Sequence, residues 1–308
     1  MKMSTFKAIL LVAALMLGNV RGMKACTACG CSASGTDFGV LQSWGVNLVG
    51  LQYRLDRFDN GTTEAGLQSS DYLHTVNLNG IWSPTDRWQV QAQVPFRTQI
   101  RTIGDQRQTR SGLSDTWLMT RYAIWRSNPD KLAEKDSSRV SGWVSAGAGV
   151  KLPTGSYRAE EDVNGLPINS QLGTGSVDFL AELRAQAGME RVALQAEAAY
   201  RYNLANPESY RFGRQVSGAI DLRWFLPKTE RRFGMLGGLY GEHFGRDNRG
   251  EYWRANTGGR GLFATAGAFG SAGSWSASVR YRHPLVQNYA EGLVQAEGPL
   301  DFSIIYGF

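Results

Sequence analysis

The sequence predicts an all-β protein, a single antiparallel transmembrane β-barrel of about twelve strands. Three observations carry that expectation. Apolar and polar residues alternate with period two along segments of about 10–14 residues that recur through the chain. The polar faces of these segments carry full charges, many of them arginine; a sandwich core cannot bury these unpaired, whereas a watery lumen accepts them. Long polar connections alternate with short ones, the arrangement of outer-membrane barrels with short turns on the periplasmic side.

In chain order, Val49, Leu51, Tyr53 and Leu55 alternate with Gln52, Arg54 and Asp56 in 46–58. A weaker pattern marks 71–82. RWQVQAQVPF (87–96) is the clearest strand, with Trp88, Val90, Ala92, Val94 and Phe96 on one face and Arg87, Gln89, Gln91 and Gln93 on the other. Segments 113–126 and 139–152 follow weakly. In 176–187, Val177, Phe179, Ala181, Leu183 and Ala185 oppose Asp178, Glu182, Arg184 and Gln186. RVALQAEAAYRYNL (191–204) repeats the scheme, and 214–226 sets Val216, Ile220, Leu222, Trp224 and Leu226 against Gln215, Ser217, Asp221 and Arg223. Weak candidates at 233–245 and 260–270 precede 274–283, where Trp275, Ala277, Val279 and Tyr281 oppose Ser276, Ser278, Arg280 and Arg282. The last strand is 299–308.

Soluble strands average about 5–6 residues. Ten residues rising about 3.3 Å each and tilted near 45° span about 25 Å, the height of an outer-membrane apolar band. Trp82, Trp88, Trp125 and Trp224 fall near strand ends, where interfacial girdles lie. Tight connections are expected at 83–85, 188–190, 228–232 and 270–273. Long ones are expected at 59–70, 98–111, 153–175, 205–212, 245–259 and 284–297, with 127–138 as a long periplasmic exception. An even strand count places both termini in the periplasm.

The domain reading is a signal peptide at 1–22, a periplasmic segment at 23–45 and the barrel at 46–308. MKMSTFK followed by AILLVAALMLGNV has the charge and length of a signal peptide, with Val20 and Gly22 suited to cleavage, and the apolar run is short for a spanning helix. Losing Lys2, Lys7 and Arg21 with it takes the formal charge from +6 to about +3. That charge is too small and scattered for a nucleic-acid partner. The expected partners are outer-membrane lipid and the outer-membrane assembly machinery. FSIIYGF closes the chain, with Phe302, Ile304, Tyr306 and Phe308 on one face, and resembles the C-terminal signature which that machinery reads.

CTACGCSAS (26–34) holds all three cysteines. Cys26, Cys29 and Cys31 can supply three thiolates to a soft ion such as Cu(I), with Gly30 letting the backbone fold tightly. Zinc would prefer a fourth ligand, and no histidine is near in sequence. A Cys26–Cys29 disulfide, leaving Cys31 odd, is equally natural in an oxidising compartment. Lys24 disfavours a lipid anchor.

GLSDTWLMTRYAIW (112–125), GAGVKLPTGSY (147–157) and GTGSVDFLAEL (173–183) resemble blocks of the outer-membrane β-barrel transporter family named for the MetA pathway of phenol degradation. The segment 25–58 looks like a branch whose mature chain starts with Cys-x-x-Cys-Gly-Cys. Ser114 stands where that pattern has glycine. The resemblance implies a barrel that passes small molecules.

An enzyme is not expected, because His74, His243 and His283 lie in no nucleophile–base arrangement. The residues expected to line the lumen are Arg54, Arg121, Glu182, Arg184, Glu197, Arg201, Asp221, Arg223, Arg280 and Arg282. They read either as a salt-bridge ladder filling a narrow interior or as a net-basic pore favouring anions. The functional expectation is a channel or transporter for small solutes, linked to copper through the cysteines. Its alternative is a closed structural or surface-interaction barrel acting through its long loops.

Overall fold

The computed structural model describes residues 44–60, 69–127, 140–157, 171–189, 191–226 and 232–308. Sixteen strands occur in the order β1 (Leu48–Asn60), β2 (Ser69–Thr85), β3 (Trp88–Ile103), β4 (Gln106–Leu113), β5 (Thr116–Arg126), β6 (Ser141–Leu152), β7 (Asp178–Met189) and β8 (Val192–Asn203). Then come β9 (Tyr210–Arg211), β10 (Gln215–Phe225), β11 (Arg232–Phe244), β12 (Asn248–Arg249), β13 (Tyr252–Trp253), β14 (Gly259–Ala272), β15 (Trp275–Tyr289) and β16 (Val294–Gly307). Every pairing is antiparallel, and β1 bonds to both β2 and β16, from Leu48↔Gly307 to Asn60↔Val294, which closes the sheet. β4 and β5 form one broken staff: β3 pairs with β4 over Phe96–Ile103 and with β5 over Trp88–Gln93. With β9, β12 and β13 in a separate small sheet, twelve staves make the ring. Closure leaves no edge within the belt, the condition for a sheet to sit in lipid; β4, above it, pairs on one side with β3.

The barrel is apolar outside and polar inside. Arg223 is 0% exposed between Leu222 at 51% and Trp224 at 60%, and Glu182 at 5% adjoins Leu183 at 57%. Period-two alternation sends neighbours to opposite faces, so one sequence pattern builds both the belt and the interior. So wide an apolar exterior is untenable in water and natural in a bilayer. Among the described residues no helix is long and apolar enough to cross a membrane.

The two ends differ. The short-turn end carries aromatics: Trp88 against Tyr122 with ring centroids 4.9 Å apart, Trp275 against Tyr306 at 5.0 Å, and exposed Trp82, Trp125 and Trp224. Its β14–β15 turn uses Gly273 at φ +57°, which an L side chain resists. At the other end two expected loops prove to be strand. Segment 98–111 continues β3 to Ile103, turns on Gly104 and returns as β4; 284–297 holds the ends of β15 and β16 around a turn at Ala290–Gly292. QRQTRSGL (β4) is mostly exposed, because above the belt neither face must be apolar and the alternation that marks a strand is lost. The expected loops 205–212 and 245–259 contain β9, β12 and β13. Segments 61–68, 128–139 and 158–170 lie outside the described residues.

Candidate functional site: the barrel interior

All ten residues read from the sequence as lining are buried or nearly so on the inward faces of the strands. They fall into separate clusters. Arg121 of β5 pairs with Glu182 of β7, which also meets Arg184 at 3.3 Å; Arg184 lies 3.7 Å from Glu197 of β8. On the wall from β10 to β15, Asp221 lies 3.7 Å from Arg280. That pair spans β11 and β14, where Gly238 and Gly267 leave the inward face bare. Arg223 sits over Phe269 at 5.7 Å and Arg201 over Trp117 at 4.6 Å, geometry suited to cation–π attraction.

Acids absent from the sequence-based list complete these clusters. Arg54 is 2.9 Å from Asp56 and 3.9 Å from Asp301, and Asp301 is 3.8 Å from Arg282. Tyr240 donates to Glu242 at 2.7 Å, Tyr289 donates to its other oxygen, and Phe244, Phe263, Val294 and Ala296 pack alongside. Asp71 receives Asn60 at 2.7 Å and faces Arg101 at 3.9 Å. Among the described residues the buried set has nine cations and seven acids, with Asp56, Glu197 and Glu242 partly buried besides. With Arg97 partly buried on the cationic side as well, the interior is close to charge balance, which favours the salt-bridge ladder over the net-basic pore. Asp56, Asp178 and Asp301 had a signal, the alternation of their strands, and Asp71 opened the weak strand at 71–82; Arg101 had none, because it sits in a strand extension read as loop.

A third cluster organises the loop end. Lys151 bridges Asp115 at 3.2 Å and Asp178 at 2.5 Å, and donates to Thr174. Asp115 sits in the break between β4 and β5. It accepts the Gly155 amide at 3.0 Å, the Thr174 amide at 2.9 Å and the Thr174 hydroxyl at 2.6 Å. Gly155 and Gly173 approach so closely that a Cβ on Gly173 would stand 2.5 Å from the Gly155 carbonyl carbon. Asn206 reaches the Thr174 carbonyl at 3.3 Å, Asp247 ties Gly213 at 2.7 Å and Tyr210 at 2.6 Å, and Arg246 meets Glu291 at 2.7 Å. Among the described residues, the loop end from the β4–β5 break to the β15–β16 turn is thus tied together by hydrogen bonds and ion pairs.

The short-turn half of the β1 to β3 wall is uncharged and lined by Gln52, Asn77, Asn79, Gln89, Gln91 and Gln93, while Arg54, Asp71 and Arg101 lie above it toward the loop end. At the short-turn rim Ser83 bonds to Asn47 at 2.9 Å, and Trp44 packs edge-on against Trp143 at 5.8 Å. His74, on the outward face, meets the Tyr53 hydroxyl at 2.8 Å, and His243 and His283 are exposed. Phe302, Ile304, Tyr306 and Phe308 face outward along β16 and its end. Cys26, Cys29, Cys31 and the signal segment lie outside the described residues.

The sequence matches the model of the family described as the MetA-pathway of phenol degradation over residues 59–283, most of the chain. The chain belongs to this family. The sequence matches no curated protein. Among solved structures, it resembles the COG4313 outer membrane channel from Pseudomonas putida F1 with TM-score 0.66 and 12% identity, covering 90% of this chain and 100% of that one. The β domain of the Bordetella autotransporter Brka aligns at TM-score 0.46 and 10% identity, over 86% and 100% of the two chains. At this identity the first likeness establishes the fold, that of an outer-membrane β-barrel.

Proposed function

We propose that this MetA-pathway barrel is an outer-membrane channel for small solutes, seen in a narrow form, with both termini in the periplasm and the loop end facing out. One observation carries the reading: a continuous interior of amides and ion pairs inside an apolar belt, which is costly to build unless water or polar solute enters. The amide-lined short-turn half of the β1 to β3 wall offers an uncharged polar stretch below the paired charges. The solved channel that the fold resembles supports the reading by analogy. The test is planar-bilayer conductance of the refolded mature chain. Discrete steps support a pore, while a folded but silent barrel favours the alternative, a closed barrel working through its outer surface. That alternative draws on the interlocked loops and on Tyr252 and Trp253, which the small sheet holds largely exposed.

The cysteine segment adds copper to the proposal, through Cu(I) held by Cys26, Cys29 and Cys31. A reduced peptide of residues 26–34 should bind Cu(I), and Cys31→Ser should weaken it; unchanged binding would sink the three-thiolate site.

A further inference from the structure

The outward face of β8, β10, β11, β14 and β15 carries a feature that the interior does not explain. Strand register sets Tyr200, Val216, His243, Arg260 and Asn288 in one row near the loop end. Two residues further into the belt the row reads Ala198, Gly218, Gly241, Leu262 and Val286. The next contains Ala196, Ile220, Leu239, Ala264 and His283. Paired residues share a face, and Val216, Ile220, Leu239, Leu262 and Val286 are all exposed. Ala198, Gly218 and Gly241 offer at most a methyl group. The middle row is therefore an open trough below His243 and Arg260. Arg214, beside the same rim, stacks over the Tyr202 ring at 5.0 Å.

Charge chooses the occupant. Among the described residues, the outward faces of these five strands present no carboxylate; of their basic groups, His243 and Arg260 stand side by side in register at the loop end, and His283 pairs with Ala264 below the trough. A bare trough suits an acyl chain, which gains dispersion contacts along its length. A basic pair at the polar edge suits phosphate, which arginine binds through charge-assisted hydrogen bonds. An uncharged amphiphile would use only the trough.

We infer that this shelf binds a phosphorylated glycolipid of the outer leaflet, lipid A, with His243, Arg260 and Arg214 at its phosphates and an acyl chain over Gly218 and Gly241. The inference rests on the outward orientation of the loop end proposed above and is independent of conductance.

The test is titration of the refolded full chain in detergent with purified lipid A, read by native mass spectrometry. The His243→Gln/Arg260→Gln variant should retain lipid A about tenfold more weakly. Gly241→Leu should weaken it too by filling the trough; a Cβ there meets its nearest neighbour at an ordinary 3.8 Å on the lipid-facing side, so the backbone need not shift. Equal retention by the parent chain and the double variant overturns the inference, as does equal retention of dephosphorylated lipid A. Orientation is read separately by labelling Tyr252→Cys on intact cells with a membrane-impermeant maleimide, in a chain whose three native cysteines are serine. No label overturns the orientation and the lipid assignment together; label with unaltered lipid A retention overturns the shelf alone.

Discussion

Arg121 and Glu182 meet across an intervening strand. They lie on β5 and β7, and the residue in register between them on β6 is Gly147. A Cβ at Gly147 would stand 3.0 Å from Arg121 Cγ and 3.1 Å from Glu182 Cγ. The absent side chain is what lets the ion pair close. Gly147→Val should therefore destabilise the barrel by about 1–3 kcal/mol through overpacking. The measurement is urea unfolding in lipid vesicles followed by tryptophan fluorescence, and a neutral result would remove the role given to this glycine.

The same cluster predicts an asymmetry between partners. Arg121→Ala leaves Glu182 with Arg184 at 3.3 Å. Glu182→Ala instead leaves Arg121 and Arg184 side by side, with Glu197 as the remaining nearby acid. Removing the shared acid should cost about 3–5 kcal/mol, and removing Arg121 clearly less. Equal losses in the same unfolding assay would mean that water already screens the cluster.

Lys151 should behave as the keystone of the loop end. Lys151→Met leaves the Asp115 and Asp178 carboxylates facing each other without the amine that bridges them. A loss of about 3–5 kcal/mol is expected. Adding Asp178→Asn should restore part of it, because Asp115 keeps its bonds from Gly155 and Thr174. A double-mutant cycle checks this, and strictly additive losses would count against the bridge.

The inside-out pattern gives a substitution whose sign separates barrel from sandwich. Leu183 faces out at the middle of β7. Leu183→Arg should cost about 2–4 kcal/mol when refolded into bilayers, as for arginine at the lipid midplane. In a water-soluble protein the same exposed position would tolerate arginine with little change. Folding yield into vesicles, compared with that of Leu183→Ala, decides between them.

How much of this was legible in the sequence depended on lipid. Where the outer face must be apolar, alternation is enforced; RWQVQAQVPF gave away its strand, its inward Gln89, Gln91 and Gln93, and its outward Val90 and Phe96. Beyond the belt that constraint ends, so β4 and the tips of β15 and β16 read as loop although their backbones continue the ladder. The interior charges were visible one strand at a time. Their partners were not, because Arg121 and Glu182 stand 61 residues apart and meet through register and a glycine between them. The Lys151 cluster was visible as three separate blocks, GLSD, VKLPTG and GTG, but that Asp115 meets Lys151 and Thr174 required the break between β4 and β5 to be known.

Charge balance in the interior makes the last prediction electrical. Asp301 faces Arg54 at 3.9 Å and Arg282 at 3.8 Å, and stands in register with Arg280. With nearly matched charges along its interior, the parent pore should discriminate weakly between potassium and chloride. Asp301→Asn removes one acid from among three arginines while keeping the shape. Arg54 retains Asp56 at 2.9 Å, so the uncompensated charge falls on the β15 side. The reversal potential under a potassium chloride gradient should then shift toward chloride. An unshifted potential in a conducting variant would mean that ions bypass this level of the barrel.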